Sequence, residues 1–335
     1  MLEQINLKNL IVKTNKQAIK KIKSCYHPNC DKKSINSHIL QRNGILNQIS
    51  TKDNHVWEKK IDHYNENTFY FAKEGLKDVL SFNCFCHEHD KNLFKKIEDN
   101  IINFEEYETC LLFTLRTLYN EIWKKEVIIE QYKLMMKSEY SSKLNLPYML
   151  AVIEQQLLGI NDLKMQENDI WNDLNNNTQT FIFNYRKLKK IDICLSGFYN
   201  YETTREILSY KFLTGKDMER ISSVFINLFP YKDETILLMG YNKNDELKLK
   251  PYFNTFFKES EKKTQTKITN LLLFACETWV ISEKLYNEKI KKVEEIFISA
   301  IKHSIDNDNE REFFKVNIFS ENFTSDMNKI KRYVS

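Results

Sequence analysis

Three cysteines and a histidine stand in two short-spaced pairs in the first third of the chain. Cys25 and Cys30 form the first pair, Cys86 and His89 form the second, and residues 31–85 lie between them. Thiolate sulfur and imidazole nitrogen are ligands that tetrahedral zinc prefers. Two ligands a few residues apart on one tight turn grip a metal with little loss of loop entropy. We therefore expect these four side chains to bind one zinc ion.

Two neighbouring side chains are alternative ligands if the register of the second pair is shifted. Cys84 lies two residues before Cys86, and His87 follows Cys86 directly. His27 stands between the first two cysteines and is a weaker candidate, because it shares their turn. The other cysteines lie in apolar surroundings and are interpreted as buried thiols: Cys110, Cys194 and Cys276.

Chain length and charge limit the number of domains and the kinds of partner that the protein can have. The 335 residues allow one large domain or two to three smaller ones, and the net charge of +4 does not by itself indicate a nucleic-acid-binding protein. The charge is uneven, since residues 8–33 are rich in lysine and contain only Asp31 as an acidic residue. This segment predicts either a solvated helix face or a surface that faces phosphates beside the zinc site.

Several common classes of protein are excluded by missing patterns. The six glycines are isolated from one another, so neither a phosphate-binding loop nor a dinucleotide fingerprint can be built. Around Ser196 the positions of a nucleophile elbow hold Cys194 and Phe198 instead of glycine. The N-terminus lacks the apolar core of a secretory signal, and no stretch has the roughly 18 apolar residues of a membrane helix. Seven cysteines without such a signal predict a cytoplasmic protein.

Hydrophobic periodicity predicts a mixture of helices and strands. An amphipathic helix over residues 4–24 precedes the zinc ligands, and the segment 51–82 has only a weak strand pattern. Apolar residues at helical spacing predict further helices at 105–140, 147–173, 252–260 and 264–305. Alternating apolar residues predict strands at 180–185, 190–195, 222–229 and 234–240.

These elements predict an α+β protein with three parts. A small zinc-binding module with an N-terminal basic helix occupies residues 1–103. A mainly helical domain over residues 104–305 contains a short antiparallel sheet at about 179–240, and residues 306–335 form a polar C-terminal tail. Within the helical domain, Arg116 lies in an apolar stretch, so we expect it to bind a carboxylate or a ligand phosphate.

The order of motifs in the zinc module resembles a known family. Ser37-His38 follows the first knuckle on a predicted strand or hairpin, and Phe85-Cys86-His87-Glu88-His89-Asp90 opens a helix. Over about residues 20–100 this order resembles the treble-clef zinc fold of HNH (His-Me finger) endonucleases. The resemblance implies a structural zinc, His38 as the general base that activates water, and Asp90 in the place of the family's last histidine.

In that family a separate divalent ion, Mg²⁺ or Mn²⁺, serves the hydrolysis of a phosphodiester, and Asp90 would help to hold it. The chain departs from the family at Ser37, where an acidic residue or histidine is usual. The family's middle asparagine corresponds to Asn65, Asn67 or Asn83.

The chain also resembles uncharacterised bacterial proteins that share the Cys-x4-Cys, Ser-His and Phe-Cys-x2-His-Asp pattern, which implies a role in antiviral defence. The expected function is a metal-dependent nuclease that acts on DNA or RNA. The alternative is a non-catalytic zinc-binding scaffold for nucleic acid or protein, with His38 as a structural histidine. In either case the helical domain is expected to sense, bind a partner or form a homo-oligomer.

Overall fold

A seven-stranded antiparallel sheet lies at the centre of the fold. The computed structural model describes residues 2–62, 68–99, 101–201, 221–306 and 314–334. Its strands, numbered in chain order, are β1 (Asn36–His38), β2 (His55–Asp62), β3 (Thr68–Gly75), β4 (Ser81–Asn83), β5 (Phe181–Lys189), β6 (Ile193–Asn200), β7 (Ser223–Tyr231), β8 (Glu234–Asn242) and β9 (Trp279–Ile281). The large sheet has the order β3-β2-β9-β6-β7-β8-β5, and β1 pairs with β4 in a separate two-stranded ribbon.

Helices lie on both faces of the large sheet. In chain order they are α1 (Leu2–Lys21), α2 (His87–Leu93), α3 (Lys95–Glu98), α4 (Tyr107–Met136), α5 (Leu146–Asn176), α6 (Glu246–Lys258), α7 (Glu261–Phe274), α8 (Glu283–Leu285), α9 (Glu294–Asp306) and α10 (Phe323–Val334). Together with the sheet they confirm the mixed helical and antiparallel class that the sequence predicts.

The central strands separate two hydrophobic cores. Successive side chains of a strand point to opposite faces, and in β7 Val224 and Ile226 enter one core while Phe225 and Phe229 enter the other. The first core is completed by helices α6, α7, α9 and α10. The second core contains α4, part of α5 and the residues around the predicted zinc ligands. The candidate site therefore lies on the same face of the sheet as the two longest helices.

The residue types of α4 explain its burial, and the residues at the two ends of α5 explain where that helix begins and ends. Every residue of α4 from 109 to 120 is buried, as expected of a helix that is apolar nearly all round. Helix α5 begins after Asn145, whose side chain accepts a hydrogen bond from the Tyr148 backbone N–H at 3.2 Å. It ends at Asn176, and the next residue, Asn177, has a left-handed φ of 53°.

The predicted β section matches strands β5 to β8, but the predicted helix over residues 264–305 is wrong. Helix α7 ends at Phe274, and the chain then forms β9, which lies between β2 and β6. Trp279, Val280 and Ile281 are all buried there. A short apolar run that is buried on both faces has no periodicity that distinguishes a strand from a buried helix.

The C-terminal segment also differs from the polar tail that the sequence predicts. Helix α10 buries Phe323, Met327 and Ile330, which are spaced by four and three residues along one helix face. Residues 307–313 lie outside the described part of the chain. Across the described residues, none of the helices combines the length and apolarity that crossing a bilayer requires.

Strand β9 connects the N-terminal hairpin to the rest of the sheet. Strand β2 pairs with β3 along its whole length, and Trp57 and Glu58 of β2 pair with Ile281 and Val280. Residues 193–195 of β6 pair with the other edge of β9. Strands from residues 1–103 and from residues 104–305 thus belong to one sheet.

Candidate metal centre and adjoining groove

The structure brings the four predicted ligands together. The ligand atoms of Cys25, Cys30, Cys86 and His89 all lie within 4.8 Å of one another. His89 Nδ1 is 3.5 Å from Cys25 Sγ and 3.4 Å from Cys86 Sγ. Zinc bonds of about 2.3 Å to sulfur and about 2.05 Å to nitrogen, meeting at the tetrahedral angle, separate the two atoms by about 3.5 Å. The cluster could therefore hold a metal ion of this coordination.

Backbone hydrogen bonds shape the first pair of ligands. The Cys25 N–H donates to the Lys32 carbonyl oxygen at 3.0 Å, and the Cys30 N–H donates to that of His27 at 3.2 Å. Asn29 has a φ of 59°, a conformation that asparagine tolerates better than most residues. The chain is thereby folded back between Cys25 and Cys30, so that both sulfur atoms reach one point.

The second pair of ligands lies at the start of α2. Cys86 is the residue before the helix and has an extended backbone, so its side chain and that of His89 lie on the same first turn. The Cys86 N–H donates to Cys25 Sγ at 3.2 Å. This bond stabilises negative charge on the sulfur and connects the two pairs directly.

The alternative ligands lie elsewhere. Cys84 is buried, and burial raises the pKa of its thiol well above the ordinary value, so it is a neutral side chain. His87 is exposed on α2. The His27 ring stacks on the His89 ring, with the centroids 3.7 Å apart and the planes 13° from parallel. His27 therefore fixes the orientation of His89, while the other two lie outside the cluster.

A groove of about 520 Å³ adjoins the metal cluster. It is lined by polar and charged side chains from the β1 region and from α2 and α3: Asn36, Ser37, His38, Gln41, Arg42, Asn43, Asp90 and Glu98. His38 ends β1, and Asp90 follows the ligand His89 on α2. The two residues that the HNH resemblance identifies thus line the same groove.

His38 is held in one orientation and tends to be neutral. Its Nε2 atom lies 2.7 Å from the Leu76 carbonyl oxygen. A carbonyl oxygen can only accept, so Nε2 carries the proton and the ring's Nδ1 atom keeps its lone pair in the neutral form. Burial lowers the pKa of His38 from the ordinary value, and the positive charges of Arg42 and Arg116 act in the same direction.

Asp90 and Glu98 share one buried cation. The Arg116 Nη2 atom is 2.5 Å from Glu98 Oε1 and 3.5 Å from Asp90 Oδ1. The guanidinium also lies over the Phe94 ring, 4.0 Å from its centroid. Only 2% of the Arg116 side chain is exposed, so the carboxylate that the sequence predicts for it is supplied by α2 and α3. Two carboxyl groups thus face one buried guanidinium beside the groove.

Of the three candidates for the middle asparagine, Asn65 and Asn67 lie outside the described residues. Asn83 lies on β4, and its amide donates to the carbonyl oxygens of Ile19 at 3.3 Å and Ile22 at 3.1 Å. Its side chain therefore caps the end of α1. Asn36, directly opposite on β1, does line the groove.

Most residues of the groove were not predicted from the sequence, among them Glu98, Gln41 and Arg42. Glu98 lies eight residues after Asp90, about two helical turns, and this spacing was the one available signal for a second carboxylate on the same side. Gln41 and Arg42 lie in the turn after β1 and carry no periodic signal. Comparison of the chain with protein-family models, curated proteins and solved structures returned no match.

Proposed function

We propose that this protein is a zinc-stabilised, metal-dependent nuclease of the HNH type, in which His38 is the general base. One observation carries the proposal: His38 and Asp90 line a common groove beside a cluster of three cysteines and a histidine. The β1–β4 ribbon followed by α2 supports a treble-clef-like arrangement, because these elements supply His38, Asp90 and the second ligand pair.

The proposed metal in the cluster is a structural zinc ion. Three sulfur ligands and one imidazole satisfy its tetrahedral preference with no position open for a substrate. All seven cysteines are free thiols, in keeping with the proposed cytoplasmic location. Zinc would hold the turn at Cys25 to the start of α2, and so keep β1 and α2 on either side of the groove.

Metal analysis of the purified protein tests this part first. We expect about one zinc ion per chain, and Cys86→Ser should remove it because one of four ligands is lost. Cys110→Ser is the matched control, since Cys110 is a buried thiol that donates to the Phe104 carbonyl oxygen away from the cluster. Equal zinc content in the two variants would contradict the assignment.

The orientation of His38 supports its role as base. With the Nε2 proton donated to Leu76, the Nδ1 lone pair is free to take a proton from a water molecule in the groove. Because burial lowers the pKa of His38, the ring is neutral at physiological pH. Arg42, exposed at the groove, is placed to attract a phosphate.

Oxygen donors in the same groove fit a hard divalent ion. Asp90 Oδ1 is buried and has no hydrogen-bond partner among the described residues, and Glu98 lines the groove nearby. We propose that these carboxylates hold Mg²⁺ or Mn²⁺. When bound, such an ion offsets negative charge on the phosphate in the transition state. Burial raises the pKa of Asp90, and the Arg116 guanidinium beside it opposes that rise and holds both carboxylates in place.

Cleavage by His38→Ala tests the proposed chemistry. A general base contributes about 10²–10⁴-fold to the rate, so this variant should lose cleavage of plasmid DNA or structured RNA by at least about 100-fold with Mg²⁺ or Mn²⁺. His55→Ala is the matched control, because His55 lies on β2, contacts Asp53 and does not line the groove. Equal cleavage by wild type and His38→Ala, or none by wild type, would eliminate the nuclease proposal.

A defence role is proposed on the resemblance alone. Its test is the plating efficiency of phages on bacteria that express the wild-type chain or His38→Ala. Protection by the wild type and its loss in the variant would support a nuclease that acts against phage. Equal plating on cells with and without the wild-type protein, over a panel of phages, would count against it.

A non-catalytic scaffold is the second candidate, and an exposed apolar surface favours it. Helix α5 exposes large apolar side chains, of which Leu146, Leu150 and Leu157 lie on one face: Leu146, Tyr148, Leu150, Leu157, Leu158 and Met165. Apolar stripes of this kind commonly mark protein interfaces. A wild-type chain that self-associates through α5 and cleaves no nucleic acid would support this function. Light scattering of the wild type and of a Leu150→Glu/Leu157→Glu variant measures that association.

A further inference from the structure

One face of α1 carries a row of lysines without acidic partners. Lys13, Lys16 and Lys20 are spaced by three and four residues, which places them on one side of the helix, and Lys23 continues the row beyond its end. All four are exposed, and none of them pairs with a carboxylate of the described chain. In contrast, Lys21 points elsewhere and pairs with Glu130 at 2.6 Å.

The row leads to the groove because α1 is attached to the ribbon that carries His38. The Asn83 amide binds the carbonyl oxygens of Ile19 and Ile22 at the end of α1. Asn83 lies opposite Asn36 in the ribbon, and the next pair on the same face is His38 opposite Ser81. Two residues along a strand span about 7 Å. The end of α1 is therefore fixed beside the ribbon face on which His38 lies.

A fifth lysine extends the row at the same end. An isolated antiparallel bridge joins Ser24 to Lys33, and the Ser34 N–H donates to the Lys23 carbonyl oxygen at 2.7 Å. Lys33 is exposed, and no carboxylate pairs with it within the described ranges. From Lys33 the chain runs on into β1 and reaches His38 five residues later. Positive charge thus continues from α1 towards the groove.

The apolar side of α1 is already occupied. Leu10, Thr14 and Ala18 are buried, and Leu10 packs with Met135 and Met149 of the two long helices. An amphipathic helix that binds a membrane inserts its apolar face, and here that face is covered. The exposed side of α1 therefore offers charge without apolar anchors, which suits a polyanion in water better than a lipid surface.

We infer that this row, defined here as the lysine track (Lys13, Lys16, Lys20, Lys23 and Lys33), binds the sugar–phosphate backbone of the nucleic acid whose phosphodiester enters the groove. The inference rests on the proposed nuclease function and specifies how its substrate is held. From Lys13 to Lys23 the track is about 15 Å long at about 1.5 Å per residue. That length matches roughly four phosphates of one strand at about 3.4 Å of rise each.

Such contacts are independent of base sequence and sensitive to salt. Each lysine that binds a phosphate contributes about 0.7 to the slope of log K against log[salt] for a single strand, and about 0.9 for a duplex. The slope therefore counts the phosphate contacts that the track makes. A change in the shape or stability of the protein would not lower the slope in proportion to the number of lysines removed.

The experiment measures binding of short labelled oligonucleotides, single-stranded and duplex, between about 50 and about 200 mM salt. All proteins carry His38→Ala, so that cleavage does not consume the probe. In that background, Lys16→Gln/Lys20→Gln/Lys23→Gln should weaken binding at least about tenfold at the lower salt, and should reduce the slope by about two to three.

Two control variants test whether binding depends on the position of the lysines or only on the net charge of the protein. Lys258→Gln/Lys262→Gln/Lys263→Gln removes the same charge from exposed lysines of α6 and α7, near edge strand β5. Lys21→Gln removes the paired neighbour of Lys20. Both should leave affinity and slope close to those of the parent. Lys20→Gln alone should lower the slope by about one, in contrast to Lys21→Gln.

The outcomes distinguish the lysine track from the nuclease function. If the parent binds and the wild type cleaves, but the track variant binds like the parent or like the charge-matched control, the track is excluded and the nuclease proposal remains. If binding depends on the track but the wild type does not cleave, the nuclease proposal fails and the track stands. Absence of binding by the parent, or tighter binding to anionic lipid vesicles than to oligonucleotides, overturns the inference.

Discussion

At the scale of single residues, the proposed chemistry of the groove depends on His38. Its hydrogen bond to Leu76 determines the tautomer, and its burial lowers the pKa. Burial outweighs the hydrogen bond, which by itself favours the protonated ring, and in the neutral form that bond leaves the lone pair on Nδ1.

The pKa of His38 predicts the pH dependence of cleavage. A base acts in its neutral form, and a pKa below the ordinary value of 6.5 preserves that form at lower pH. The single-turnover rate should therefore be highest in neutral and weakly alkaline solution and should fall to half of that value only below about pH 6.5.

Zinc content and circular dichroism, measured at each pH, verify that the protein remains folded and keeps its zinc. A rate that has already halved above pH 6.5, with fold and zinc intact, would show that His38 is not the base whose deprotonation is measured.

The sequence predicted the cluster of three cysteines and one histidine but little of the groove, for a physical reason. Cys25 with Cys30, and Cys86 with His89, are close in the chain, so local turns bring each pair together. Glu98 and Arg116 meet only because α4 packs against α2 and α3. Contacts of that kind depend on tertiary packing and leave no spacing pattern in the chain.

At the scale of elements, Arg116 connects the buried helix α4 to the groove. Its side chain stacks on Phe94 and faces the carboxylates of Asp90 and Glu98. The sequence predicted a carboxylate partner for Arg116, and the structure shows that α2 and α3 supply it. The position of Asp90 in the groove therefore depends on how α4 is packed.

Arg116→Met should destabilise the protein, because it leaves Asp90 buried beside an apolar side chain. Removing one partner of a buried pair costs about 3–5 kcal/mol, and the lower end applies here since Glu98 is 40% exposed and can turn to water. Urea unfolding measures the change in the free energy of unfolding.

Arg42→Met is the control for this prediction, because Arg42 lines the same groove and is exposed. Its effect should stay within about 0.5 kcal/mol. Similar losses in the two variants would mean that the Arg116 guanidinium does not stabilise the buried carboxylates.

Strand β9 shows where prediction of elements from sequence failed. The helical spacing of apolar residues before and after residues 279–281 favoured one long helix. Trp279, Val280 and Ile281 are buried on both faces between β2 and β6, so their environment requires apolar residues at every position. Burial on all sides removes the alternation by which a strand is recognised.

At the scale of the whole molecule, Trp279 joins the N-terminal hairpin to the C-terminal helices. Its ring lies 5.8 Å from that of Phe71 on β3 and 6.2 Å from that of Phe297 on α9. The domain boundary expected at residue 103 follows the change in composition along the chain. The pairing of strands crosses it, because β9 is the neighbour of both β2 and β6.

Trp279→Ala should therefore weaken both parts of the chain together. Truncating a fully buried tryptophan costs about 3–5 kcal/mol. Because Trp279 contacts Phe71 and Phe297, amide hydrogen exchange should rise in β2 and β3 as well as in α9 and β6. Leu247→Ala, at a side chain that is 96% exposed, is the control and should change neither stability nor exchange. Faster exchange confined to residues beyond 103 would instead mean that the part with the cysteine–histidine cluster folds without support from β9, and that the groove is independent of the sheet.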